Sequence, residues 1–518
     1  MQDQTYKPPS LTLAVIALAL ATFMQVLDST IANVALPTIA GSLGVSSEQS
    51  TWIITSFAVC NAIALPLTGW LSRRIGQLRL FIVSVSLFTL TSFLCGIATS
   101  MPELIAFRAL QGFFAGPMFP MCQTLLLAIF PSVKRGAALA LISMVTVVAP
   151  IVGPITGGWI TDNYSWPWIF FINIPIGIFC CVAVWQQLKG RVDTIAKMPI
   201  DFIGIALLVL GVGMLQVVLD LGNNADWFES SQIVIMTCIS VVALISFVIW
   251  ELTEKNPIVN LYLFKDRNYT FGTIALVLSY AAFFAINVIL PQWLQIYMGY
   301  TAIWAGLASA PMGILPLIFA PLIGKYAHKM DMRILASISF VVIGLSCFLR
   351  ANFNTSVDFA SVAEVQLFMG IGIAFMFMPL TTIFLSNLNH DQVADASGLT
   401  TFLRVLGASF ASSLTTWIWN RRADFHHANL SEHVNIYNPG AVEYLDKMGG
   451  ATQTNLASVN SVVTSQSYMM SLNDYFYMLG ILFFVLIGIV WFSKGPFIKS
   501  SSSTSDPKLP TTEASAGH

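Results

Sequence analysis

Three ionisable side chains sit deep inside apolar stretches of this sequence, and their types define the chemistry open to it. Asp28 lies in the run from Leu11 to Leu36, Arg108 between Glu103 and Phe130, and Arg404 between Ser397 and Trp419. A charge in hydrocarbon is costly, so each is a functional candidate by default. Burial favours the neutral acid, whereas a nearby guanidinium favours the carboxylate. An Asp28 poised between the two can load and release a proton as its surroundings change. Arginine keeps its charge, so Arg108 serves as the fixed positive partner. The alternative is a static ion pair that only orients helices, an expensive device for that purpose in a membrane. Thr22, Gln25 and Ser29 share a helical face with Asp28, Asn33 lies further along, and Gln111 and Gly112 follow Arg108.

The elements that position these residues are membrane spans. The chain of 518 residues is 56% hydrophobic and only 9% charged, a balance foreign to soluble folds of this length. Mean hydropathy is +0.76. Stretches of roughly 20 apolar residues, enough to cross a hydrocarbon core of about 30 Å, recur almost throughout. Fourteen are expected: 11–36, 51–71, 80–99, 103–130, 137–160, 168–188, 200–221, 232–252, 271–297, 303–324, 334–349, 361–386, 397–419 and 475–492. The first is too long for a cleaved signal and reads as a retained helix.

Basic residues are retained on the cytoplasmic side of membrane proteins. With the N-terminus inside, 18 of the 24 Lys and Arg fall in inner loops and tails, among them Arg73, Arg74, Arg79, Lys134, Arg135, Lys189, Arg191, Lys265 and Arg267. Four fall outside: Arg350, Arg421, Arg422 and Lys447. An even span count leaves both termini cytoplasmic. The net charge of −1 carries no signal for nucleic acid. Seven cysteines all lie in apolar spans, which reads as small apolar packing rather than a disulfide framework or zinc site. His426, His427 and His433 read as a solvated outer loop rather than metal ligands. No span contains a histidine, and no Walker or haem motif occurs, so an embedded enzyme is not expected.

The two halves echo one another weakly. Gly69-x-Leu71-Ser72-Arg73-Arg74-x-Gly76 has a degenerate counterpart at 324–329, and Gly112 to Pro120 resembles Gly370 to Pro379. Ala137-Ala138 likewise resembles Ala396-Ser397. The offsets lie between 255 and 260 residues, longer than a bare duplication of six spans requires. Two spans are therefore inserted in the middle. The expected organisation is a cytoplasmic N-tail (1–10), a six-helix bundle (11–190), inserted helices seven and eight (191–260), and a second six-helix bundle (261–493). The last contains a long polar outer excursion over 420–474, and a disordered tail rich in Ser, Thr and Pro follows over 494–518. Ala149-Pro150-x-x-Gly153-Pro154-x-x-Gly157-Gly158 lies inside an apolar run that a soluble helix would not tolerate. In a membrane it reads as a kinked contact face where another helix approaches closely.

That glycine-proline stretch resembles the fifth-helix signature of exporters in the major facilitator superfamily. Leu27-Asp28-Ser29-Thr30-Ile31-Ala32-Asn33-Val34-Ala35-Leu36-Pro37 is similar to the first-helix motif of its fourteen-helix drug:proton antiporters, the EmrB/QacA-type branch. Arg108-Ala109-Leu110-Gln111-Gly112 resembles the fourth-helix motif in which an arginine is implicated in proton transfer, and 166–177 resembles the segment opening helix six. The resemblance is closest to the EmrB-like subgroup. It implies an all-α membrane protein with two six-helix bundles and two inserted helices, driven by the proton gradient with no cofactor. One departure stands out. The superfamily loop after helix two usually carries an acid where this chain has Arg73, which puts in doubt a charge-relay gate built on that acid. Basic residues there remain compatible with the EmrB-like subgroup.

The resemblance further implies a bacterial inner membrane, a periplasmic adaptor of the EmrA type and an outer-membrane channel of the TolC type. The 420–474 excursion is the candidate docking surface for the adaptor. Gln25, Asn33, Gln111, Asn287, Gln292, Gln295 and Arg404 are candidate cavity residues, and Phe283, Phe284, Trp293, Met312, Met376, Phe377 and Met378 could accommodate varied apolar molecules there or simply pack helices. The expected function is proton-coupled efflux of small-molecule drugs by alternating access. Asp28 and Arg108 couple protons, 149–158 forms a bendable gate, and Gly69, Arg73, Arg74 and Gly76 form the cytoplasmic loop motif. The alternative is an exporter dedicated to one endogenous amphiphile, such as a fatty acid, siderophore or bile-salt-like molecule.

Overall fold

A computed structural model describes residues 8–497 apart from 131–134, 192–194, 196–198, 226, 327–329, 390–391 and 436. Lys134, the 327–329 part of the loop echo and most of the C-terminal tail lie outside the described residues. The first bundle comprises α1 (Leu11–Leu43), α2 (Trp52–Ile75), α3 (Gln77–Gly96), α4 (Met101–Ala115), α5 (Met118–Ile129), α6 (Arg135–Asn163) and α7 (Asn173–Leu188). Then come α8 (Phe202–Leu221) and α9 (Ser231–Thr253). The second bundle comprises α10 (Arg267–Ile296), α11 (Ala302–Ser309), α12 (Ile314–Tyr326), α13 (Met332–Arg350), α14 (Phe359–Ala374), α15 (Phe377–Leu385), α16 (Val393–Glu432), α17 (Pro439–Lys447) and α18 (Gln453–Trp491).

Side-chain caps set many of the starts by satisfying amides the helix cannot. Ser10 Oγ accepts from Leu13 N at 3.3 Å, Asp201 from Gly204 N at 2.9 Å, Asp266 from Tyr269 N at 2.8 Å, and Thr452 from Asn455 N at 3.2 Å.

Among the described residues, twelve helical stretches are long and apolar enough to cross a bilayer. Two expected spans are helical yet fall short of that measure. The tenth carries a 3₁₀ turn at Ala310–Gly313 between α11 and α12, and its apolar stretch, Ile303–Phe319, is shorter than the other spans. The thirteenth, in α16, carries Asp395, Ser397, Thr400, Thr401, Arg404 and Ser413, all buried against neighbouring helices rather than facing lipid.

Helices α4 and α5 occupy one span and α14 and α15 another, each interrupted at equivalent positions of the repeat. The repeat also explains a pair of glycines. Gly112 lies directly on the α2 backbone at Phe57, and a methyl group on Gly370 would stand 2.7 Å from Met312 O. Neither position has room for a side chain.

The inserted hairpin lies along α2 of one bundle and α16 of the other. Trp70 Nε1 donates to Pro199 O at 3.3 Å, Gln216 Nε2 to Ser409 Oγ at 2.9 Å, and Ser413 Oγ to Leu219 O. The outer face of α9 presents Ile235, Val241, Val242, Ile245 and Ile249, an apolar surface suited to lipid. Cys238 is exposed on this helix, and Cys60 and Cys181 are half-buried, so packing in the interior accounts for only four of the seven thiols.

The 420–474 excursion is mostly helix. Helices α16 and α18 continue well past the expected span ends, so only 433–452 connects them, with α17 in its middle. Asp474 ties the two extensions together, pairing with Arg422 and lying 2.7 Å from His426 Nε2. Arg350, expected in an outer loop, is instead fully buried. It ends α13 and folds back to donate to Ser346 O at 3.2 Å and Gln366 Oε1 at 2.5 Å, so the last-turn carbonyl and an amide replace water.

Helix α6 runs unbroken through Pro150 and Pro154, and its glycines lie against α1. Gly153 faces Thr30, and a methyl on Gly157 would stand 2.8 Å from Ile31 Cγ1 and 2.9 Å from Ile31 O. One on Gly158 would stand 3.8 Å from Val34 Cγ1, an ordinary contact. Gly157→Leu should therefore abolish the monodisperse protein peak in detergent, while Gly158→Ala should leave yield and Tm near wild type. Equal behaviour of the two variants would refute this packing.

Candidate functional site

Asp28 and Arg108 come together in the centre of the first bundle. Asp28 is 0% exposed and Arg108 1%. Arg108 Nη1 donates to Asp28 Oδ2 at 2.7 Å and to Gln111 Oε1 at 2.8 Å, while its Nε donates to Ile53 O at 3.3 Å. Asp28 Oδ1 accepts from Gln111 Nε2 at 3.1 Å and Asn173 Nδ2 at 2.8 Å. The carboxylate thus receives one charged and two neutral donors. The ring of Phe57 covers the guanidinium at 4.2 Å, and that of Phe170 lies at 5.5 Å. Buried charges persist only when paired and hydrogen-bonded, and this cluster meets both demands.

Five elements converge here: α1, α2, α4, α7 and the turn before α7. Asn173 was absent from the sequence-derived candidates, although it stands in the 166–177 segment. An asparagine in a bilayer-depth stretch was the available signal. It also donates to Ser92 Oγ at 3.0 Å, which donates to Phe170 O at 2.9 Å.

The remaining polar residues of α1 do not join the cluster. Thr22 Oγ1 donates to Leu18 O at 3.2 Å and Ser29 Oγ to Val26 O at 2.7 Å. Gln25 is buried with Oε1 unpartnered, and Asn33 is exposed. Asn287 is half-buried and donates to Phe283 O at 2.7 Å; Gln292 is half-buried; Gln295 is exposed.

A second feature joins the bundles at the end that carries Arg73. Arg73, at the end of α2, pairs with Asp395, which begins α16 of the other bundle and is 8% exposed. Gly69 and Gly398 allow the approach. Gly69 lies under Asp395, and a methyl on Gly398 would stand 3.0 Å from Leu65 O. Arg74 lies over the Trp70 ring at 5.2 Å, and Gly76 adopts φ +98°, turning the chain from α2 into α3. Arg73 thus meets an acid that lies across the interface, in the other bundle. Helices α5 and α6 also meet α16 and α15, and α6 packs along α11 and α12, whereas α1 and α10 make no extended contact among the described residues.

Between the bundles, near the Arg73 end, lies a small cavity of about 20 Å³, room for little more than a water molecule. Arg404 lines it with Gln123, Thr381, Thr401, Phe119 and Phe377. Of the expected cavity residues, only Arg404 and Phe377 reach it. Phe283 packs edge-on against Phe377, and Trp293, Met312, Met376 and Met378 are buried in the core. The Arg404 guanidinium lies over the rings of Phe119 at 4.4 Å and Tyr280 at 4.9 Å. Such rings contribute about 2 kcal/mol each when desolvated and offset only part of the several kcal/mol that a buried unpaired ion costs.

For the Asp28–Arg108 pair, Asp28→Asn and Arg108→Gln should each cost about 3 kcal/mol, and the double variant should fall short of their sum by about 2–3 kcal/mol. Thermal unfolding in detergent measures this; strictly additive losses would show that the pair is not coupled.

The family model for the Major Facilitator Superfamily matches residues 18–412. The chain is 49% identical over 500 residues to the multidrug export protein EmrB of Escherichia coli K12, covering 96% of this chain and 98% of that protein. It is 45% identical over 494 residues to the fatty acid resistance protein FarB of Neisseria gonorrhoeae, covering 95% and 97%. Its fold is similar to that of the human organic anion transporter MFSD10, with a TM-score of 0.59 at 12% identity over 93% of this chain and 100% of the other. These matches, the membrane-spanning helices and the paired bundles place the chain in the major facilitator superfamily, in its EmrB-like branch, as a multi-pass membrane protein.

Proposed function

We propose that this chain is a proton-coupled exporter of hydrophobic or amphipathic compounds that works by alternating access in a bacterial inner membrane. The observation that carries the proposal is the sealed Asp28 cluster, a carboxylate whose pairing depends on its charge, at the centre of one of two facing bundles. Protonating Asp28 removes the negative half of the pair and leaves Arg108 with Gln111 Oε1 and Ile53 O. That state is less well satisfied, so proton binding favours rearrangement of α1, α4 and α7. Arg108 stays charged and draws the proton off again when the pair re-forms.

Sidedness follows from charge. The Arg73 end carries most of the basic residues and is assigned to the cytoplasm with both termini. The conformation described is then closed inward, with Arg73–Asp395 as its latch and Gly69, Arg74 and Gly76 shaping the loop. The bundles 11–190 and 261–493 rock about the cavity, with 191–260 riding along the seam. Gly153 and Gly157 let α6 press on α1 at Thr30 and Ile31, two and three residues from Asp28, so the stretch that they form with Pro150, Pro154 and Gly158 couples helix movement to the proton site.

The EmrB relative supports a broad drug range. The name of FarB supports the second reading, export of a fatty acid or similar amphiphile. The projecting ends of α16 and α18 with α17 offer a docking surface for an EmrA-type adaptor leading to a TolC-type channel. Tyr437 is 89% exposed there, and no residue of α17 is buried.

Asp28→Asn should abolish dye export driven by an imposed pH gradient in proteoliposomes while insertion stays normal; uphill export by this variant would reject the proton role. Replacing 433–452 with a short linker should remove co-purification with the adaptor and leave folding intact. Undiminished co-purification would rule out docking at this tip.

A further inference from the structure

Arg404 differs from the other two buried arginines. Arg108 meets Asp28, and Arg350 meets Gln366 and Ser346. Arg350 shares an unmet Nε and the lack of a carboxylate, but both of its Nη atoms have acceptors; Arg404, 8% exposed, has neither a carboxylate within ion-pair distance nor any hydrogen-bond acceptor for its guanidinium among the described residues. It nevertheless lines the cavity between the bundles, where the remaining lining is aromatic, aliphatic, hydroxyl or amide. A cation kept in this setting calls for a counter-charge that arrives and leaves.

We infer that Arg404 is the docking point for the carboxylate of an anionic amphiphile, and that it makes the cavity select such anions over amphiphilic cations. This rests on the export reading above. A planar guanidinium offers two parallel donors to a carboxylate, and the threonine hydroxyls at 381 and 401 add neutral donors. Phe377 and Phe119 suit the apolar tail. A cationic headgroup meets like charge here with no acid to offset it.

Position explains release. Arg404 and Tyr280 belong to the second bundle, whereas Phe119, over the guanidinium at 4.4 Å, belongs to the first. At about 20 Å³ the closed cavity has no room for a ligand. The anion is therefore met when the Arg73 end is open. Closure brings the Phe119 ring over the guanidinium in place of the carboxylate.

The test compares full-length wild type, Arg404→Gln and Arg404→Lys for detergent-phase binding of dodecanoate and dodecyltrimethylammonium. Arg404→Gln should weaken dodecanoate binding about tenfold or more and leave the trimethylammonium ligand unchanged. Arg404→Lys, which keeps the charge but loses the planar fork, should weaken dodecanoate alone by a few-fold. Unchanged dodecanoate binding, or equal loss for both ligands, overturns the inference. If the glutamine variant fails to give folded protein by gel filtration, the lysine variant decides on the same criterion. Repeating the binding in phosphatidylcholine nanodiscs with and without phosphatidylglycerol separates the sources of anion: unchanged dodecanoate affinity supports a carboxylate substrate, and competition by phosphatidylglycerol overturns it in favour of a lipid headgroup. Wild type that binds neither ligand overturns this inference, and wild type that also exports no dye under a pH gradient removes the export reading itself. Export with unselective binding removes only the role of Arg404.

Discussion

A bilayer supplies no water to a buried polar group, so each one must find its partner within the protein or be left at a cost. The interior of this molecule is organised by that constraint. Asp28 is surrounded by donors from α4 and α7, and Arg108 by acceptors from α1, α2 and α4. Arg350 turns back on its own helix end. Hydroxyls in the spans donate mostly to carbonyls one turn away, as Thr22 and Thr146 do. Arg404 departs from the pattern, and it does so at the seam where the two bundles face one another.

Close helix approach is the second organising principle, and glycine placement governs it. Gly112 and Gly370 let each bundle draw a broken span onto a neighbouring backbone, Gly153 and Gly157 bring α6 onto α1, and Gly69 and Gly398 bring the two bundles together beneath the Arg73–Asp395 pair. Lipid tails give helices little hydrophobic reason to associate, so such contacts rely on van der Waals proximity and interhelical polar pairs. The molecule combines both at the Arg73–Asp395 pair.

Much of this was legible from residues alone. Apolar run length located the spans, because crossing hydrocarbon demands about 20 residues whatever the fold. Asp28 and Arg108 stood out because charge at that depth has few explanations. Partners distant in sequence were not legible. Asp395 lies 322 residues from Arg73, and no local pattern joins them. The glycines of α6 announced a contact face but not that α1 occupies it. Arg350 was read as a loop residue because hydropathy marks where a helix leaves the apolar run, not whether its last side chain turns inward. The 420–474 stretch looked like a loop because it is polar, yet polar residues continue a helix readily once the membrane ends.

That continuation has a mechanical consequence. Helix α16 is a single element of 40 residues, about 60 Å long at the usual rise per residue. It begins at the Arg73–Asp395 pair, passes Arg404 at the cavity, is bonded to the inserted hairpin through Ser409 and Ser413, and ends beyond the last membrane-depth turn. A stiff rod fixed at its base converts a tilt of a few degrees there into a sideways sweep of several ångströms at its far tip. On the export reading proposed above, a partner holding that tip would sense, through one unbroken backbone, which way the bundles are tilted.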